Sequence, residues 1–269
     1  ALAAEHAHAH PPRVREALQC LDQVVADDPS AETQGAVVRA LLALDKSDAA
    51  IERLIRWAGD AASEPDAVAR YLCATRIAKE RRDPSRALAI LRTLLRRVPS
   101  SSAALELAEE TAFESRQHEA LFAIYDDLDA SVAGEHGRHA LSYRRARFLE
   151  RCGRYNDALA IHQSLFARAP SLGASFSAIE RLAGATGQYD ACVQALRTLG
   201  EQATTPEART RYFLRGAAVA WDHARDAEAT VAMELLAYLN DHVAETEARL
   251  LEHTRELRAR KPEAAARVI

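Results

Sequence analysis

The sequence predicts an all-α fold: a solenoid of about seven stacked antiparallel helix hairpins. Three observations carry that expectation. Good helix formers, above all Ala, Leu, Arg and Glu, dominate the 269 residues, and 10 Gly with 9 Pro are few for a chain built of β turns. A short pattern, G-x-Y-x-x-A with proline twelve residues further on, recurs in whole or in part at intervals of about 35 residues. One helix hairpin cannot bury its own apolar face, so successive copies must stack on one another.

The pattern is clearest in RCGRYNDALAIHQSLFARAP, residues 151–170. Gly153 can take a positive φ and end one helix, Tyr155 opens the next, Ala158 is small where two helices approach closely, and Pro170 stops the hairpin. The first copy, PPRVREALQCLDQVVADDPS, supplies Val14, Ala17 and Pro29. DKSDAAIERLI supplies Ala50, a looser match. RRDPSRALAILRTLLRRVPS gives Ala87 and Pro99, and SRQHEALFAIYDDL gives Ala120. After Ala158, GQYDACVQALRTL places Gly187, Tyr189 and Cys192, and ARDAEATVAMELL loosely places Ala229. These anchors, at 17, 50, 87, 120, 158, 192 and 229, are 33, 37, 33, 38, 34 and 37 residues apart. Residues 1–11 are expected to be a frayed segment or a truncated repeat, residues 12–241 the solenoid, and residues 242–269 a capping helix and tail. VAETEARLLEHTRELRAR, 243–260, is amphipathic and reads as a cap or as the first half of another repeat. Residues 1–10 are too short for a full first helix, so the array is expected to continue upstream.

The pattern resembles the tetratricopeptide repeat (TPR) family or a close TPR-like variant, best over 139–170 and more loosely over 12–241. Ser142 stands where the family carries a bulky residue, and Arg145 where it carries leucine. The resemblance implies a right-handed superhelix whose concave groove, lined by the first helix of each hairpin, holds a partner. Matched residue by residue, one groove-facing position is Arg39, Arg76, Glu109, Arg147 and Arg181 in successive units; Lys79, Tyr143, Arg151, Arg211 and Trp221 fall nearby. A ladder of guanidiniums grips carboxylates with paired hydrogen bonds, and Tyr143 and Trp221 would be apolar anchors. The expected partner is a protein or peptide, acidic, extended or helical. The competing reading is that these arginines pair with glutamates on adjacent helices.

Other functions find less support. The net charge of −4 and pI of about 6.2 show no basic excess, so no nucleic acid is expected. No apolar run approaches the ~18 residues of a membrane span; TVAMELLAYL at 230–239 is interrupted by charge. The phosphate-loop, dinucleotide, zinc-protease and nucleophile-elbow motifs are missing, and neither enzymatic activity nor a cofactor is expected. His6, His8 and His10 would share a face only on a strand, and no metal is expected there. Cys152 and His162 straddle one turn without an orienting third group. The acid pairs Asp126–Asp127 and Glu109–Glu110 read as solvated helix faces. Cys20, Cys73, Cys152 and Cys192 fit no zinc spacing and read as buried core thiols of a reducing, cytoplasmic compartment. The Ala- and Arg-rich composition suggests a bacterial source. The sequence therefore points to a non-catalytic scaffold. The alternatives are a substrate-recruiting segment of a larger enzyme, a regulatory segment of a bacterial signalling protein, or an RNA-binding helical repeat.

Overall fold

The computed structural model describes residues 11–171 and 173–268, in which there are fifteen α-helices and no strand. His6, His8 and His10 lie outside the described residues. The chain divides into two compact units, Ala1–Ala133 and Gly134–Ile269. The first holds α1 (Pro11–Asp27), α2 (Ala31–Ala43), α3 (Ser47–Gly59), α4 (Glu64–Glu80), α5 (Pro84–Arg97), α6 (Ser102–Ser115) and α7 (His118–Ser131). The second holds α8 (Glu135–Arg151), α9 (Tyr155–Arg168), α10 (Gly173–Thr186), α11 (Tyr189–Gln202) and α12 (Pro206–Val219). A π-helical turn (Ala220–Ala224) follows, then α13 (Ala227–Asp241), α14 (Ala244–Arg260) and α15 (Pro262–Val268).

Within each unit, strong packing joins helices that are adjacent or next but one in the chain. The even-numbered helices from α2 to α12 are the first helices of the hairpins, and α3 to α13 the second. All three predicted proline stops hold: α1, α5 and α9 end at Asp27, Arg97 and Arg168, two residues before Pro29, Pro99 and Pro170.

Each hairpin turn uses the same device. One residue in the left-handed region precedes the second helix by two positions: Asp45, Arg82, Arg116, Gly153, Gly187 and Arg225. Only two of the six are glycine, so glycine spacing marks a third of the turns. Second helices begin at 47, 84, 118, 155, 189 and 227, which are 37, 34, 37, 34 and 38 residues apart.

This register corrects two of the sequence anchors. Ala50, Ala87 and Ala158 are fully buried and Cys192 is 4% exposed, each in the fourth position of its helix. In α7 and α13 that position is Leu121 and Thr230, both fully buried, whereas Ala120 is exposed and Ala229 half-buried. The turn sets the register, and an alanine one residue earlier mimics the anchor in sequence alone.

Small residues let the helices approach. Ala104, Ala108 and Ala112 of α6, one turn apart, are all fully buried, and α5 packs Leu91, Leu94 and Leu95 beside Ala87. Each fully buried leucine contributes roughly 1.5–3 kcal/mol. Side chains of Ser30, Ser63, Asp83, Ser101, Thr205 and Asp226 accept from backbone N–H groups in the first turns of α2, α4, α5, α6, α12 and α13.

Polar pairs then tie neighbouring hairpins together. Asp127 of α7 accepts from Arg92 (2.6 Å) and Arg96 (2.9 Å) of α5, which hold its carboxyl well below the usual carboxylate range. Arg97 reaches from the end of α5 to the last carbonyls of α3 and the turn beyond: Ala58 (2.5 Å), Gly59 (2.7 Å) and Ala61 (2.8 Å). Arg53 pairs with Asp22 (2.7 Å), and Arg215 with Glu180.

No disulfide joins the four cysteines. Cys192 is buried, and burial pushes its thiol up to about 11. Cys73 and Cys152 are half-buried and Cys20 is exposed, against the expectation of four core thiols. Small apolar neighbours in sequence do not tell which side of a helix a cysteine occupies: Cys20 is exposed, and Leu21, the next residue, is buried.

Candidate partner-binding surface

The nine sequence candidates fall into two sets. Arg39, Arg76 and Lys79 lie on α2 and α4 of the first unit; Tyr143, Arg147, Arg151, Arg181, Arg211 and Trp221 lie in the second.

In the first unit the candidates line real concavities. A pocket of about 370 Å³ lies among α2, α3 and α4, with Arg39, Arg70 and Arg76 around Val38, Leu54 and Ile77. A larger one of about 780 Å³ lies between α4 and α6, with Arg76 and Lys79 on one wall and Glu106 and Glu110 on the other. Both share Ala69, Cys73, Arg76 and Glu80, so Arg76 stands where they meet. Sequential first helices create this arrangement, because their outward faces lie side by side while their alanine-rich faces pack inward.

The charges on this surface differ in how far they are occupied. Lys79 pairs with Glu114 of α6 at 3.4 Å, and Arg70 donates to Gln34 at 3.0 Å. Arg76 has only a loose contact with Glu80 of its own helix, 3.8 Å, between side chains that are 73% and 64% exposed. Arg39 is exposed and makes no ion pair among the described residues. The α2–α4 side is therefore basic and open, and the α6 wall acidic.

In the second unit the same residue types are engaged differently. Arg181 of α10 pairs with Glu150 of α8 at 2.7 Å, and the other Glu150 oxygen faces His162 Nε2 of α9 at 3.0 Å. His162 is fully buried, and Tyr143 meets its ring edge-on at 5.4 Å between centroids. Burial lowers the His162 pKa; Glu150 opposes that shift, while Arg181 and Arg147 add to it. The ring is thus neutral and donates Nε2–H to Glu150, leaving Nδ1 buried without a partner. Burial also raises the Cys152 thiol, the reverse of what an activated nucleophile needs.

Trp221, in the π-helical turn, packs on the His253 ring of α14 with 4.1 Å between ring centroids. His253 Nδ1 contacts the fully buried Glu234 of α13 at 2.9 Å, and Arg249 approaches the same carboxylate at 3.4 Å. Arg147 and Arg211 are exposed without ion pairs among the described residues, and Arg151 is exposed at the end of α8. The second unit thus spends Tyr143, Arg181 and Trp221 on its own packing. Glu150, Glu234 and His253 were not foreseen, and His162 was raised only beside Cys152. The signal available for Glu150 was its charge opposite Arg181, 31 residues on, close to one repeat period.

No protein-family model matches the chain, and no curated protein does. Solved structures do match. The chain is a helical-hairpin repeat similar to tetratricopeptide repeat proteins. One similar structure is YrrB, described as a TPR protein with an unusual peptide-binding site: 13% identity, TM-score 0.34, covering 76% of this chain and 98% of that one. Another is a tetratricopeptide repeat protein from Parabacteroides merdae, with 11% identity, TM-score 0.32, and 90% and 92% of the two chains. A third is a computationally designed self-assembling cyclic homo-oligomer, with 15% identity, TM-score 0.13, and 99% and 86%. The peptide-binding site named for YrrB is a property of that protein.

Proposed function

We propose that the chain is a non-catalytic protein-interaction scaffold that holds a segment of a partner protein along the α2–α4–α6 surface of its first unit. The observation that carries this reading is the pair of adjoining concavities with Arg39 and Arg76 at their rims, neither drawn into a neighbouring hairpin. An exposed guanidinium without a fixed partner is available for a bidentate bond to an incoming carboxylate. Apolar floor residues such as Val38, Ile77 and Leu107 exclude water around that bond. The segment is acidic where it meets Arg39 and Arg76, and it turns neutral or basic toward Glu106 and Glu110. Arg147, Arg151 and Arg211 remain candidates for a contact on the second unit, whereas Arg181, Tyr143 and Trp221 serve its packing first.

The test is capture from lysate of the source organism with the full chain and with its Arg39→Glu/Arg76→Glu form. A protein retained only by the unaltered chain, and displaced by an acidic peptide drawn from that protein's own sequence, supports the reading. Equal retention by both forms overturns it.

A further inference from the structure

A third concavity has no counterpart in the sequence expectations. It measures about 320 Å³ and lies between α11 and α13, with α15 at its edge. Val193, Ala229, Met233, Leu236 and Leu239 form it. Leu239 is 60% exposed, the most exposed large apolar side chain among the described residues. Arg197 and Arg267 stand at its margin, and no acidic residue lines it.

Internal comparison of the repeats shows what this pocket lacks. Arg92 is the ninth residue of α5, and its carboxylate partner Asp127 is the tenth residue of α7. Arg197 is the ninth residue of α11, and the tenth residue of α13 is Leu236. The arginine is thus retained while the carboxylate that bridges the two helices in the first unit is replaced by leucine. At the place of Arg96, α11 has Glu201, and Arg197 folds back onto it at 2.8 Å across a surface where both side chains are half exposed. Such an exposed pair within one helix is weak, so Arg197 is readily given up to a better-placed acid. Arg267 is held no more firmly, 3.8 Å from Glu228 and 71% exposed.

We propose that this pocket is a second docking site, for an amphipathic helix of a partner protein. That helix seats one large apolar side chain between Met233, Leu236 and Leu239 and presents a carboxylate, three or four residues away, to Arg197. The partner's acid replaces the missing equivalent of Asp127, and its apolar residue covers the leucine that took that place. The volume suits one to two large side chains, and the open side at Leu239 suits a helix laid across it. The site belongs to the second unit and does not rest on the function proposed for the first.

The experiment pans a display library of single-helix peptides, randomised at surface positions, against the full chain. A synthetic copy of the enriched peptide is then titrated by fluorescence anisotropy. Enriched sequences are expected to pair an aliphatic or aromatic residue with Asp or Glu three or four positions away. Affinity is expected to fall about tenfold or more on Leu239→Glu and on Arg197→Glu. A peptide with its acid changed to Lys should recover binding to the Arg197→Glu chain. Both positions are exposed, and circular dichroism checks that each variant is folded. No enrichment, enrichment without the apolar–acid pairing, or unchanged affinity on either variant overturns the proposal. So does concentration-dependent self-association that Leu239→Glu abolishes, which would assign the pocket to a second copy of the chain.

Discussion

Arg97 shows how a single side chain joins two repeats. Its guanidinium, reaching from α5, satisfies carbonyls that α3 leaves open at its C-terminal end. Arg97→Ala should lower stability by about 1–2 kcal/mol, read as a shift in the urea midpoint. Arg97→Lys should recover only part of it, because an ammonium cannot span three carbonyls. His162 sets a pH dependence of opposite origin to a salt bridge. Its folded pKa is lowered, so between the folded and unfolded values the unfolded chain binds the extra proton. The stability it contributes is complete above the unfolded value near 6.5 and is lost as pH falls from there through the lower folded value. Urea midpoints from about pH 8 to 5 should fall more steeply for the unaltered chain than for His162→Gln, which cannot titrate. Parallel profiles would remove the role. None of this was legible at the level of residue type. His162 was read beside Cys152 because the two flank one turn, whereas the fold hands its Nε2 to Glu150.

At the scale of elements, much of the fold could be read directly. The three prolines ended α1, α5 and α9, and four of the anchors sit where a small buried residue was expected. What escaped was the register of α7 and α13. Their turns lack glycine, as do those at Asp45 and Arg82, but the buried fourth position that is alanine in α3 and α5 is Leu121 in α7 and Thr230 in α13, so an alanine one residue earlier took its place. The physics of those turns is testable. A non-glycine residue in the left-handed region costs roughly 1–2 kcal/mol, partly offset by the greater unfolded-chain entropy of glycine. Arg116→Gly should therefore stabilise the first unit by about 0.5 kcal/mol, and Gly153→Ala should destabilise the second by about 1 kcal/mol. Thermal unfolding of both variants would check the opposite signs; a loss in each case would mean that Arg116 contributes contacts outweighing its backbone strain.

For the whole molecule, the governing fact is that strong packing within each unit joins only helices near one another in the chain. The two candidate surfaces are each built inside one unit, from helices one repeat apart. The arginines at the repeated first-helix position were legible as a periodic set, but their fates were not, because pairing depends on what the neighbouring repeat supplies: nothing firm for Arg76 and Glu150 for Arg181. The same dependence holds for Arg197, outside that set, which has leucine where it would need an acid. Such a chain should lose stability locally, since repeat arrays sum intrinsic and nearest-neighbour terms. Leu91 is fully buried in α5, and Leu91→Ala should cost about 2–5 kcal/mol through lost burial and a residual cavity. Native-state hydrogen exchange is the measurement that locates the cost. Amides of α4, α5 and α6, which share the altered core, should lose protection by the full amount, while those of α11, α12 and α13 keep theirs. Equal loss in both sets would mean that the chain unfolds as one cooperative body, and that altering one docking surface also alters the stability of the other.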